Sequence, residues 1–174
     1  EDVFVGGHPM AGSEKTGYEH STDHLLENAY YIITPAEKSS DEQIERVKNV
    51  ANLLGAIPMV LDYREHDQAV AAVSHLPHLI ASSLVNLVKD SDDSSETMKR
   101  IAAGGFKDIT RIASSSPEMW EQICMANCGP ICDILERYIA SLSQVLQEIR
   151  GKQEDSIYRL LEESRAYRNS ISDR

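Results

Sequence analysis

Three short apolar runs stand out in the first third of the chain, at Val3–Val5, Ala29–Thr34 and Ala56–Leu61, each of a length and composition that predicts a β-strand. Between the second and third lies a different periodicity. From Ser40 to Leu54 the apolar residues Ile44, Val47, Val50, Ala51 and Leu54 recur at helical spacing, after a Ser-Asp capping signal and before Gly55. The pattern is a strand-helix-strand unit of α/β type. Beyond about Tyr63 the strand-like runs stop, and apolar positions recur every three or four residues almost to the end. A long helix is expected from Glu65 to Lys89, distorted near His75 because Pro77 lacks an N–H and its ring meets the preceding turn. A second should run from Ser94 to Ala103 and stop at Gly104-Gly105. Ser116-Pro117 predicts a helix start for a segment containing Trp120 and Ile123, which Gly129-Pro130 should break. Ile131, Leu135, Ile139, Leu142, Leu146 and Ile149 then form a stripe, and an amphipathic piece follows from Asp155 to about Tyr167. These patterns divide the chain into an α/β segment, residues 1–62, and an all-helical domain, residues 63–174.

Charge narrows the partners. Seventeen Lys and Arg stand against 28 Asp and Glu, a net charge of -11, so the summed field repels phosphate backbones and anionic lipid, and no nucleic acid is expected. No uninterrupted apolar run approaches the ~20 residues that cross a bilayer, and the first residues carry no secretory pattern. The expectation is a cytoplasmic protein without a membrane partner. Cys124, Cys128 and Cys132 follow one another at i, i+4 along a helical pattern, a spacing that bridges poorly, and are read as reduced, mostly buried thiols.

Candidate chemistry gathers at three places. Gly6 to Gly17, GGHPMAGSEKTG, follows a strand and carries four glycines in twelve residues, which implies a tight loop whose backbone approaches something closely, a ligand being the natural candidate. His8 in that loop would sit at the strand edge, where an imidazole can take a proton near neutral pH. The loop matches neither GxGxxG nor GxxxxGK[ST]. His75 and His78 flank Pro77, so a local distortion could aim both into one cavity, with His66 nine residues before His75 on the same stripe. They lack a carboxylate or cysteine at a familiar ligand spacing, and no metal is expected. Lys107 and Arg111 lie at i, i+4 just after a glycine pair, a placement able to clamp a dicarboxylate. Each group also has a plainer reading, as a turn histidine, structural helix histidines and a solvated basic edge.

Taken as an ordered series, GGHPMAGSEKTG, His66-Asp67, SHLPHLIA and GGFKDITRIA, with Trp120 nine residues after Arg111, resemble the prephenate dehydrogenases. The resemblance runs from Val3 to about Ile149. It implies a mainly α fold, in which a remnant of a Rossmann-type nucleotide-binding domain precedes a helical substrate and dimerisation domain. It also implies oxidative decarboxylation of prephenate to 4-hydroxyphenylpyruvate with NAD or NADP, in a homodimer with interleaved helices. By position in the motifs, His8 would withdraw the hydroxyl proton and Arg111 would bind a substrate carboxylate. Lys107, His66, His75 and His78 would line the pocket, Ser13 and Glu14 would border it, and Glu14, Asp108 and Arg111 would form a gating ion network. Trp120 is read as core or interface. The family's GxGxxG turn, and a serine that assists the catalytic histidine, are expected upstream of residue 1, and residues 1–174 by themselves are expected to be inactive. Arogenate dehydrogenase, and a helical dimerisation module without catalysis, are the rival readings.

Overall fold

The computed structural model describes residues 4–12 and 17–171. Its elements are strands β1 (Val5–Pro9), β2 (Tyr30–Pro35) and β3 (Ile57–Val60) with helix α1 (Asp41–Leu53), followed by helices α2 (Tyr63–Val70), α3 (Leu76–Ser91), α4 (Thr97–Ile101), α5 (Gly104–Thr110), α6 (Pro117–Ala126), α7 (Cys128–Arg150) and α8 (Glu154–Ser170). The chain separates into two compact units, residues 1–131 and 132–174.

In the first unit the sheet has the order β1-β2-β3, with β1 antiparallel to β2 and β2 parallel to β3. Helix α1 makes the crossover that a parallel pair requires. It starts at a capping box, where Ser40 and Gln43 satisfy each other's backbone N–H, and it seals the sheet through Ala51 over Ile32 and Ile33. The first strand lies further along the chain than its apolar run predicts. Gly6, Gly7 and His8 are in β1 rather than in a loop, paired with Thr34, Ile33 and Ile32. What their backbone approaches is β2 and not a ligand: a Cβ on Gly6 would collide with the Thr34 hydroxyl, and one on Gly7 would lie 2.7 Å from the Tyr31 ring.

Pro77 distorts its helix by the expected mechanism. Ala71–His75 is a π-helical turn in which the Leu76 N–H bonds to the Ala71 carbonyl, and Pro77 follows in the first turn of α3. The widened turn gives the proline ring room and buries His75 and His78 together. By length and mean hydropathy the continuous stretch Tyr63–Ser91 would be able to cross a membrane, which a scan for uninterrupted apolar residues overlooks. A third of its most apolar window is buried within the protein.

Three helix boundaries differ from the sequence pattern. Asp92 accepts backbone hydrogen bonds from Asp93, Met98 and Lys99, which winds residues 92–96 into a turn and delays α4 to Thr97. Gly104-Gly105 opens α5 instead of ending α4, the break falling at the non-helical Ala102 and Ala103. Gly129-Pro130 likewise lies in the first turn of α7, where a missing N–H costs no helix bond, and the interruption sits at Asn127. In the second unit the rest of α7 is followed, after Gly151-Lys152, by α8, and Ile139, Leu142, Leu146 and Ile149 are exposed; Cys128 and Cys132 on α7, expected to be mostly buried, are exposed as well.

Candidate active site

A cavity of about 420 Å³ opens within the first unit, lined among others by His8, Val73, His78, Arg111, Ser115 and Trp120. Strand β1 carries His8 to it, the end of the π turn and the start of α3 supply His78, and the 3₁₀ turn at 111–114 that ends α5 supplies Arg111. That turn breaks the expected common face of Lys107 and Arg111. Arg111 lines the cavity, whereas Lys107 and Asp108 are exposed on α5 and are not among its lining residues.

The histidines form two connected groups. His8 Nδ1 lies 2.7 Å from His66 Nε2 with the rings edge to face, and His66 Nδ1 lies 2.9 Å from Asp67 Oδ1. His75 Nδ1 accepts from Asn127 Nδ2 at 3.2 Å, and the same amide nitrogen donates to the Asp67 carbonyl at 2.9 Å. Asn127 thus ties the junction of α6 and α7 to the histidine cluster. Trp120 stacks on His78 with ring centroids 3.5 Å apart and meets His75 edge-on at 6.0 Å. His78 Nδ1 and Trp120 Nε1 are buried without a hydrogen-bond partner, and both residues line the cavity.

Burial pushes the imidazoles of His8, His75 and His78 below their usual 6.5. For His8 the loss of hydration is the larger cause, even though part of the ring still reaches solvent, and the neighbouring His66 adds to it. For His75 burial again comes first, then the charges of His8 and His66, against an opposing pull from Asp67. His78 is lowered by burial. The site therefore favours neutral imidazoles able to accept a proton near neutral pH.

His8, His78 and Arg111 line one cavity in the first unit, whereas His66 and His75, expected to line the pocket too, are not among its lining residues and meet His8 and Asn127 instead. Ser13 and Glu14, and with Glu14 the expected ion network, lie outside the described residues. Asp67, Asn127 and the stacking role of Trp120 escaped sequence reasoning. The His66-Asp67 dipeptide did carry a signal for Asp67, while Asn127 had none. Among the described residues no group of three His, Cys, Asp or Glu side chains is arranged to hold a metal ion.

The cleft thus combines a histidine able to accept a proton with an arginine able to hold an anion, in a unit that also carries a small α/β sheet. Comparison with known proteins shows the family. Residues 62–163 match the family model of the prephenate dehydrogenase dimerization domain, and residues 1–60 that of the prephenate dehydrogenase nucleotide-binding domain. The chain is 38% identical over 168 residues to prephenate dehydrogenase of Bacillus subtilis, covering 97% of this chain and 45% of that protein. It is 34% identical to that of Lactococcus lactis, with 97% and 46% covered. Its fold superposes with a TM-score of 0.91 and 35% identity on prephenate dehydrogenase from A. aeolicus in complex with hydroxyphenyl propionate and NAD+, over 97% of this chain and 59% of that one. Synechocystis arogenate dehydrogenase follows at TM-score 0.84 and 30% identity, with 96% and 61% covered. This chain belongs to the prephenate dehydrogenase family and spans about half the length of the curated relatives it matches.

Proposed function

We propose that these residues are the substrate-binding part of a prephenate dehydrogenase, which converts prephenate to 4-hydroxyphenylpyruvate and CO2. The observation that carries this reading is His8 and Arg111 on the same cavity. In the reaction, the 4-hydroxyl proton passes to the His8 ring as hydride leaves the carbon that bears it, and loss of the ring carboxylate as CO2 restores aromaticity. Arg111 holds a carboxylate of the substrate through charge-assisted hydrogen bonds, and His78, beneath Trp120, forms the wall beside it. The hydride acceptor is NAD or NADP. The sequence carries no GxGxxG turn of the kind that cradles a pyrophosphate, which supports the reading that residues 1–174 alone do not turn over. The family models meet between residues 60 and 62, which supports a division at 62/63 into a nucleotide-domain segment and a substrate and dimerisation domain. A net charge of -11 supports a protein that works away from nucleic acid and anionic membranes, in the cytoplasm.

The test uses the complete enzyme that contains this chain, assayed for NADH or NADPH formation with prephenate and, separately, with arogenate. His8→Asn should lower kcat by roughly 100-fold or more with KM little changed. Arg111→Ala should chiefly raise KM, by about 10 to 100-fold for the ~1.5–3 kcal/mol of a hydrogen bond to a charged group, and Arg111→Lys should restore part of it. Turnover of arogenate alone would replace the substrate, and two variants within about twofold of the parent would remove the roles of both residues.

A further inference from the structure

His8 is held from behind, and the atoms that hold it determine which of its nitrogens can act. A carboxylate has no hydrogen to give, so in the 2.9 Å contact with Asp67 Oδ1 the hydrogen belongs to His66 Nδ1. A neutral His66 with its hydrogen on Nδ1 has a bare Nε2. That nitrogen lies 2.7 Å from His8 Nδ1 and can only accept, so the hydrogen between the rings belongs to His8. His8 is then hydrogen-bearing at Nδ1 and carries its lone pair at Nε2. We propose that His66, oriented by Asp67, is a positioning residue that selects the Nδ1–H tautomer of His8 and leaves Nε2 as the proton acceptor.

The surroundings are consistent with this use of His66. Its side chain is 14% exposed and is not among the cavity-lining residues, so a role behind His8 suits it better than a contact with substrate. Asn127 donates to the main-chain carbonyl of Asp67, which fixes the residue whose carboxylate begins the chain of bonds. The other charged or titratable groups near His8 are His75, beside it, and Arg111 and His78 on the same cavity. When His8 takes a proton, its Nδ1–H stays on the lone pair of His66 with the Asp67 carboxylate behind it, so the bond that orients the ring persists through the transfer.

The consequence for turnover rests on the reading of His8 as the base, but the tautomer does not, and the two are separable. In this chain labelled with ¹⁵N at its histidine rings, two-bond ¹⁵N–¹H correlations above the His8 pKa should show Nδ1 protonated and Nε2 bare. His66→Leu should convert His8 to the other tautomer or a mixture, and His66→Gln, whose side-chain oxygen can stand where Nε2 stood, should keep the parental form. Should the leucine variant fail to fold, Asp67→Asn serves, since its amide can offer hydrogens to His66 and release the tautomer. A parental His8 protonated at Nε2, or a ring unmoved by both His66→Leu and Asp67→Asn, would overturn the proposal. In the complete enzyme, His66→Leu should lower kcat on the order of 100-fold with KM within about twofold, and His66→Gln should recover most of it. If the tautomer shifts while turnover does not, His66 still positions His8 and it is the role of His8 as base that fails.

Discussion

Three imidazoles with lowered pKa make the folded state sensitive to acid. His8, His75 and His78 all lose hydration on folding, so the unfolded chain binds protons more readily than the folded one between the folded pKa values and the usual 6.5. By linkage, stability rises with pH across that window and is full above about 6.5, and it is lost as pH falls below it. Urea unfolding between about pH 7.5 and about pH 5.5 should therefore show a lower midpoint at the acid end. A His75→Gln, His78→Gln double variant should flatten the slope, and a parent whose midpoint rises on acidification would show that these rings gain rather than lose affinity for protons on folding. The same reasoning sets the limits of sequence reading at this scale. His8, His75, His78 and Arg111 could be singled out because their motifs are local. The contact of His8 with His66 spans 58 residues, and that of Asn127 with His75 spans 52, so both depend on how helices pack.

At the scale of the elements, Asn127 occupies the break between α6 and α7 and spends its amide on two acceptors, a carbonyl in α2 and the ring of His75. His75 is 9% exposed, so losing the donor leaves its Nδ1 buried and unpaired. Asn127→Ala should cost about 1–3 kcal/mol in urea unfolding at neutral pH, and a loss under about 0.5 kcal/mol would mean that solvent or a rearranged neighbour replaces the amide. Elements governed by nearby residues were legible: the Ser40 capping box, the Ser116 cap and the distortion before Pro77 all act within one turn. Elements governed by partners were not. Gly6 and Gly7 have little intrinsic preference for a strand, and β1 extends through them because β2 supplies backbone partners and space only for a hydrogen in place of a Cβ. Gly104-Gly105 and Gly129-Pro130 mark boundaries but open helices instead of ending them: proline suits a first turn, where its missing N–H costs no helix bond, while the glycines there run against their usual preference for the position after a helix.

For the molecule as a whole, the distribution of apolar surface carries the strongest expectation. On α7, Ile139 is 55% exposed, Leu142 49%, Leu146 46% and Ile149 60%, and on α8 Leu161 and Tyr167 exceed 60%. The first four recur at helical spacing on one stripe, a continuous apolar face of the kind that soluble monomers rarely leave uncovered. Residues 62–163 match a model described as a dimerization domain, and α7 lies wholly inside that range. We therefore expect a homodimer in which this stripe is covered by a second copy, each half-exposed leucine or isoleucine contributing about 1 kcal/mol, roughly half the gain of burying a fully exposed side chain. Light scattering at tens of micromolar should give about twice the 19.4 kDa of the chain. Leu142→Asp with Leu146→Asp should shift that mass to the monomer while leaving the far-UV helical signal largely in place, because neither side chain is in the buried core of its own unit. A parent at 19.4 kDa under those conditions would remove the dimer, and a double variant that stays dimeric would move the interface away from α7.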